Sequence, residues 1–214
     1  MKVYLSPSNQ TNNLYNDGKH TEQEVCYLIA QKVQDYLSNT NIDVKLGNPH
    51  DTIAQRVTQS NSWGADYHIP IHTNAGGGRG CEVFVWKTNL NDTIANKIYE
   101  NISELTPTSD RGIKTRNDLY EIKYSTGKAI YIECAFHDTE GDWILENVDD
   151  IAFAIAHGIC NDVKENIKEV VKTPVTTSND LWRVQLGAFT TKERAEAFAK
   201  ELQKKYGLTT FVRQ

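Results

Sequence analysis

The chain has 214 residues, 39% of them hydrophobic and 24% charged, and a formal net charge of -5. That length suits one full domain with a small appendage, and the composition is that of an ordinary globular protein, neither disordered nor membrane-embedded. So mild an acidity, with no concentrated Lys/Arg face, excludes a binder that tracks nucleic-acid phosphates.

The opening Met1-Lys2-Val3-Tyr4-Leu5 runs straight into a strand-like segment. It lacks the apolar h-region of a secretory signal, and no apolar run reaches the roughly 18 residues of a membrane span. Synthesis in the cytoplasm without a signal peptide is expected, any outside substrate being met after release. Short apolar or alternating runs predict strands at Val3 to Leu5, Val44 to Leu46, His68 to Ile71, Cys81 to Trp86 and Ala129 to Phe136. Between them, Thr21-Glu22-Gln23-Glu24 is a capping box opening a helix whose Cys26, Ile29, Val33 and Leu37 fall at helical spacing. Asp51 to Trp63, Asn91 to Leu105 and Asp150 to Ile167 read as further helices. Such alternation predicts an α/β fold: a mostly parallel twisted sheet covered by helices on both faces, with any site at the carboxyl ends of the strands. Pro70, inside the third strand, is expected at a sheet edge or a bulge. Cys26, Cys81, Cys134 and Cys160 lie in apolar patterns without CxxC spacing, as reduced, buried thiols do.

After Ile167 the text turns polar and Thr-rich around Pro174, the composition of a linker. The first domain is therefore placed at 1–168, a linker at 169–180 and a second unit at 181–214. In that unit Leu181 to Leu186 and Leu208 to Val212 predict strands around an amphipathic Thr191 to Tyr206, a small C-terminal β-α-β unit. A unit of about 34 residues hardly buries a core unaided, so it calls for a partner, a second copy of itself being one.

A metal-hydrolase site needs a few N or O ligands, an open position for water and a base within reach. His72 ends the third strand ahead of Thr73-Asn74-Ala75-Gly76-Gly77-Gly78-Arg79-Gly80, read as a flexible loop. Glu22 lies on the buried stripe of the first helix, and Glu133 interrupts an otherwise apolar strand, where carboxylates take on proton-transfer roles. His68 shares the face of His72 but lies deeper, as a supporting or core histidine.

Across residues 1 to about 165 the chain resembles the zinc-dependent N-acetylmuramoyl-L-alanine amidases of autolysins and phage endolysins. The resemblance rests on Glu22 to Ala30, Ala65 to Ala75, Arg111-Gly112-Ile113-Lys114 and Ile130 to Phe136. It implies that Glu22 and His72 bind zinc, that Glu133 is the catalytic carboxylate, and that the substrate is bacterial peptidoglycan, cut between muramic acid and L-alanine. Asn74 and Arg79 are the candidates for substrate contact. The family's usual zinc histidine after the first strand is missing, since the chain there reads Leu5-Ser6-Pro7-Ser8-Asn9-Gln10. His137, sharing the strand period with Glu133, is the preferred substitute, with His20 as the other. A zinc peptidase and a non-cutting wall-binding protein are the competing readings. The tail from Trp182 to Thr190, with Ala195-Glu196-Ala197 and Phe211-Val212, resembles the first half of a SPOR domain, which implies glycan binding.

Overall fold

The computed structural model describes residues 1–108, 111–164, 196, 198–200 and 203–204. The chain divides into two compact units, Met1–Ile167 and Lys168–Gln214. The linker and the two strands expected after it lie outside the described residues.

In the first unit, strands β1 (Lys2–Pro7), β2 (Asp43–Leu46), β3 (Tyr67–Asn74), β4 (Glu82–Val85), β5 (Ile113–Thr115) and β6 (Lys128–Phe136) alternate with helices α1 (Glu22–Leu37), α2 (Ile53–Trp63), α3 (Thr93–Leu105), α4 (Tyr120–Tyr124), α5 (Gly141–Glu146) and α6 (Val148–Ile159). They form one six-stranded sheet in the order β2-β1-β3-β6-β4-β5. All pairings are parallel except β4 against β6. The capping box at Thr21 is formed: its hydroxyl accepts the Glu24 N–H, while the Glu24 carboxylate accepts the Thr21 N–H at 2.9 Å. Two free donors are thereby satisfied, and α1 is fixed to begin at Glu22.

The strand period of two splits the sheet into unlike faces. Val3, Leu5, Ile69, Ile71, Val83, Ile130 and Ile132 pack into one apolar core with Cys26, Ile29 and Val33 of α1, Ile98 and Ile102 of α3, and Ile151 and Ile155 of α6. Tyr4, Ser6, His68 and His72 alternate with these residues and face the other way, where α2 and α4 bring Arg56 and Glu121. The second face therefore holds a buried polar layer beside a smaller apolar cluster of Phe84, Ile122 and Ala129, and the polar layer carries the chemistry.

Pro70 is not at an edge. It sits in interior strand β3 opposite Ser6, and the register irregularity falls later, between His72 and Asn74. Proline there removes one ladder donor, and the pairing of β3 with β1 and β6 runs in register past it. The last predicted helix is also corrected: α6 starts at Val148 and stops at Ile159, where Cys160 turns extended (φ -146°, ψ 115°). No disulfide links the cysteines; Cys26, Cys81 and Cys134 are buried and Cys160 is partly exposed.

Helices α3 and α6 touch at Gly158, where an added Cβ meets Ile98 Cγ1 at 2.6 Å and Ile98 Cα at 2.8 Å. Gly158→Ala is expected to cost about 1–3 kcal/mol by forcing the helices apart, read as a lower urea midpoint.

Candidate active site at the carboxyl edge of the sheet

Glu22, at the first position of α1, is fully buried, and its Oε1 lies 2.9 Å from His72 Nδ1. Asn13 Nδ2 donates to Oε2 at 2.8 Å, Gln10 Nε2 to Oε1 at 3.5 Å and the Thr73 N–H to Oε1 at 3.4 Å. Burial works to raise this carboxyl's pKa, but the bond to and charge of His72, with bonds from Asn13 and Ser8, bring it below the ordinary value. On the neighbouring strands His72, Glu133 and Glu82 stand in register across β3, β6 and β4. Glu133 is partly accessible, yet its Oε2 is enclosed and has no hydrogen-bond partner among the described residues. Burial pushes its pKa up to about 8; the His72 charge opposes the rise, Glu22 and Glu82 add to it, and Arg116 opposes it.

His72 is held on three sides. Glu22 faces Nδ1, Tyr131 stacks on the ring at 4.5 Å between centroids, and Glu121 Oε2 lies 3.7 Å from Nε2. Burial favours the neutral imidazole, but the Glu121 and Glu22 carboxylates facing its two nitrogens outweigh it and raise the pKa to about 9. His68 is buried beneath, stacked on Tyr4 and 3.1 Å from Glu121 Oε1. Glu82 closes the row, accepting from Asn74 Nδ2 at 2.6 Å and pairing with Lys114 and, at 3.4 Å, with Arg111. Of the two candidate substrate residues, Asn74 is thus partly engaged within the protein, whereas Arg79 is exposed.

The glycine loop is tied down rather than loose. Gly76 and Gly77, at φ 110° and 74°, both direct their N–H groups to Asp138 Oδ2 at 2.8 Å. Gly78 lies so close to the Phe136 ring that a Cβ would fall 2.3 Å from it, and the Gly80 N–H donates to Glu140 at 2.9 Å. The acidic turn after β6 therefore shapes the loop after β3.

The third metal ligand expected from the sequence is not in place. His137 turns its Nδ1 to Thr73, 3.1 Å from Oγ1 and 3.2 Å from the carbonyl oxygen, and stacks on Tyr15. The strand period fails it because β6 ends at Phe136, where the His137 N–H is drawn to the Asn74 carbonyl. His20 pairs with Asp17 at 2.6 Å, half exposed, and Asn9 donates to the Asp51 carbonyl at 3.3 Å. No group of three His, Cys, Asp or Glu side chains able to hold a metal occurs among the described residues. Glu22 and His72 offer adjacent O and N donors of the kind zinc accepts, but two donors fall short of the three a catalytic zinc uses. The residues described do not fit that site.

Glu82, Arg56 and Glu121 went unnoticed in the sequence. Glu121 carried one signal, a carboxylate between Tyr120 and Ile122 in an apolar stretch. A cavity of about 300 Å³ bordered by Trp86, Ile122 and Ala129 lies near the start of β6, away from Glu133.

An α/β sheet with a buried acid–imidazole pair and an unpartnered carboxylate at its carboxyl edge defines a hydrolase-like site. The N-acetylmuramoyl-L-alanine amidase family profile matches residues 8–164 and the SPOR domain profile residues 164–214. A sporulation-specific N-acetylmuramoyl-L-alanine amidase of Bacillus subtilis (strain 168) is 26% identical over 215 residues, covering 96% of this chain and 82% of that protein. The N-acetylmuramoyl-L-alanine amidase CwlM of Bacillus licheniformis is 30% identical over 195 residues, covering 86% and 73%. The catalytic domain of CwlV from Bacillus (Paenibacillus) polymyxa var. colistinus shares the fold, with a TM-score of 0.68 at 22% identity over 76% of this chain and 99% of that one. The chain belongs to the N-acetylmuramoyl-L-alanine amidase family. It is a peptidoglycan-cleaving amidase that also carries a SPOR domain, a peptidoglycan-binding module, and its family is generally zinc-dependent.

Proposed function

We propose that the first unit hydrolyses the amide between the lactyl group of muramic acid and L-alanine, with Glu133 as the proton-transfer group. The supporting observation is the enclosed, unpartnered Oε2 of Glu133 in register with His72. A carboxyl with its pKa near 8 is ionised in part at neutral pH and moves protons in both directions. As carboxylate it takes a proton from the attacking water; as acid it returns that proton to the departing amine of L-alanine. Glu22 and Glu121 hold His72 beside it. Arg79, exposed on the pinned loop, contacts the polar substrate, and Asn74 orients the loop through Glu82.

The SPOR domain brings the enzyme to glycan strands. Purified sacculi and free stem peptides, incubated separately with the full chain, test the assignment. Soluble peptide is expected from sacculi and no cleavage from free peptides. Cutting of free peptides indicates a peptidase, and pelleting with the wall without release leaves only adhesion. Two protein donors hold zinc less tightly than three, so zinc well below one per chain is expected after dialysis against a chelator. Stoichiometric retention means that a further donor is drawn in.

A further inference from the structure

We propose that Glu121 is a positioning residue for the reaction, holding the His72 imidazole so that Nδ1 stays turned to Glu22 and the ring stays beside Glu133. This rests on the reading of His72 as part of the active site. Glu121 belongs to α4, a helix of only five residues, yet it is 2% exposed. A carboxylate so enclosed costs several kcal/mol unless its oxygens are matched by donors. Those donors all come from the sheet face that leads to the site. Ser6 Oγ and His68 Nε2 both bind Oε1, the latter at 3.1 Å, which leaves Oε2 aimed at His72 Nε2 from 3.7 Å.

The His72 ring therefore has a carboxylate at each nitrogen and Tyr131 against its plane. Nε2 has no closer acceptor, since it makes no hydrogen bond among the described residues. With Glu121 removed, only the Nδ1 contact would set the ring's rotation, and a half-turn about the Cβ–Cγ bond would break that contact. Carboxylates that orient metal-binding histidines change activity by about 10–100-fold on mutation, and the same orienting role sets the scale for Glu121.

The test compares Glu121→Gln, Glu121→Asp and Ser6→Ala at a temperature where each is folded. It uses turnover on sacculi and the side-chain N–H resonances of His72 in 15N-histidine-labelled protein. The expected result is a kcat lower by about 10–100-fold in Glu121→Gln with KM nearly unchanged, together with a shifted or solvent-exchanged His72 resonance. Partial recovery of both is expected in Glu121→Asp. Ser6→Ala, which loosens Glu121 without removing it, gives a smaller loss of kcat and keeps the inference testable should Glu121→Gln not fold. Parental kcat and an unmoved His72 resonance in a folded Glu121→Gln would overturn it, as a purely structural acid lowers stability alone. If the parent releases no peptide from sacculi, the proposed reaction fails, whereas the resonance still reports whether Glu121 governs His72.

Discussion

Glu133→Gln is expected to reduce peptide release from sacculi by about 10²–10⁴-fold, the usual contribution of a positioned proton-transfer group, without loss of stability. Most substitutions of half-buried polar residues weaken both properties; this one separates them. Burial raises the Glu133 pKa to about 8, against about 4.5 for the free side chain, so the charged form is disfavoured in the folded protein. A group shifted this way destabilises the fold progressively as pH climbs from about 4.5 towards 8. Glutamine has the shape of the protonated acid and never ionises. The variant's thermal midpoint is therefore expected to match the parent near pH 4 and to exceed it by a growing margin at pH 6 and pH 9. Parental activity is expected to rise between pH 6.5 and 8 as the base ionises. An active Glu133→Gln, or one less stable at pH 9 than the parent, would remove Glu133 from its assigned role.

His72→Leu is expected to produce the largest loss of stability at the site. His72 lies between Glu22 and Glu121, both buried and both carboxylates. Breaking a buried ion pair by deleting one partner typically costs about 3–5 kcal/mol, because the other charge is left uncompensated. For a domain of this size that corresponds to a drop in Tm of roughly 10 °C. The sign with pH follows from the raised pKa of about 9. The imidazolium's contribution is complete below about 6.5 and lost as pH rises through 9, so the deficit of His72→Leu narrows between pH 6 and 10. Differential scanning calorimetry across that range checks it; a deficit that widens with pH means that His72 is neutral in the fold.

What could be read from the sequence was whatever depends on local periodicity. The capping box at Thr21 placed Glu22 at a helix start, and alternation put His68 and His72 on one strand face. A lone acid in Ala129 to Phe136 marked Glu133. The features that escaped depend on contacts between segments far apart in the chain. Strand β5 has three residues and α4 five, too few for a period to register, yet α4 delivers Glu121 to His72 and His68. His137 follows the strand period in the sequence, but β6 ends one residue earlier and a register irregularity between His72 and Asn74 shifts the neighbouring pairing. The glycine run looked free because its anchors, Asp138 and Glu140, arrive about 60 residues later.

The most direct measurement is an end-group analysis of purified peptidoglycan digested by the full chain. Cleavage at the lactyl amide predicts one new amino-terminal L-alanine for each muramic acid freed of its stem, with no increase in reducing sugar. New reducing ends, or new amino termini on any residue other than L-alanine, would contradict it.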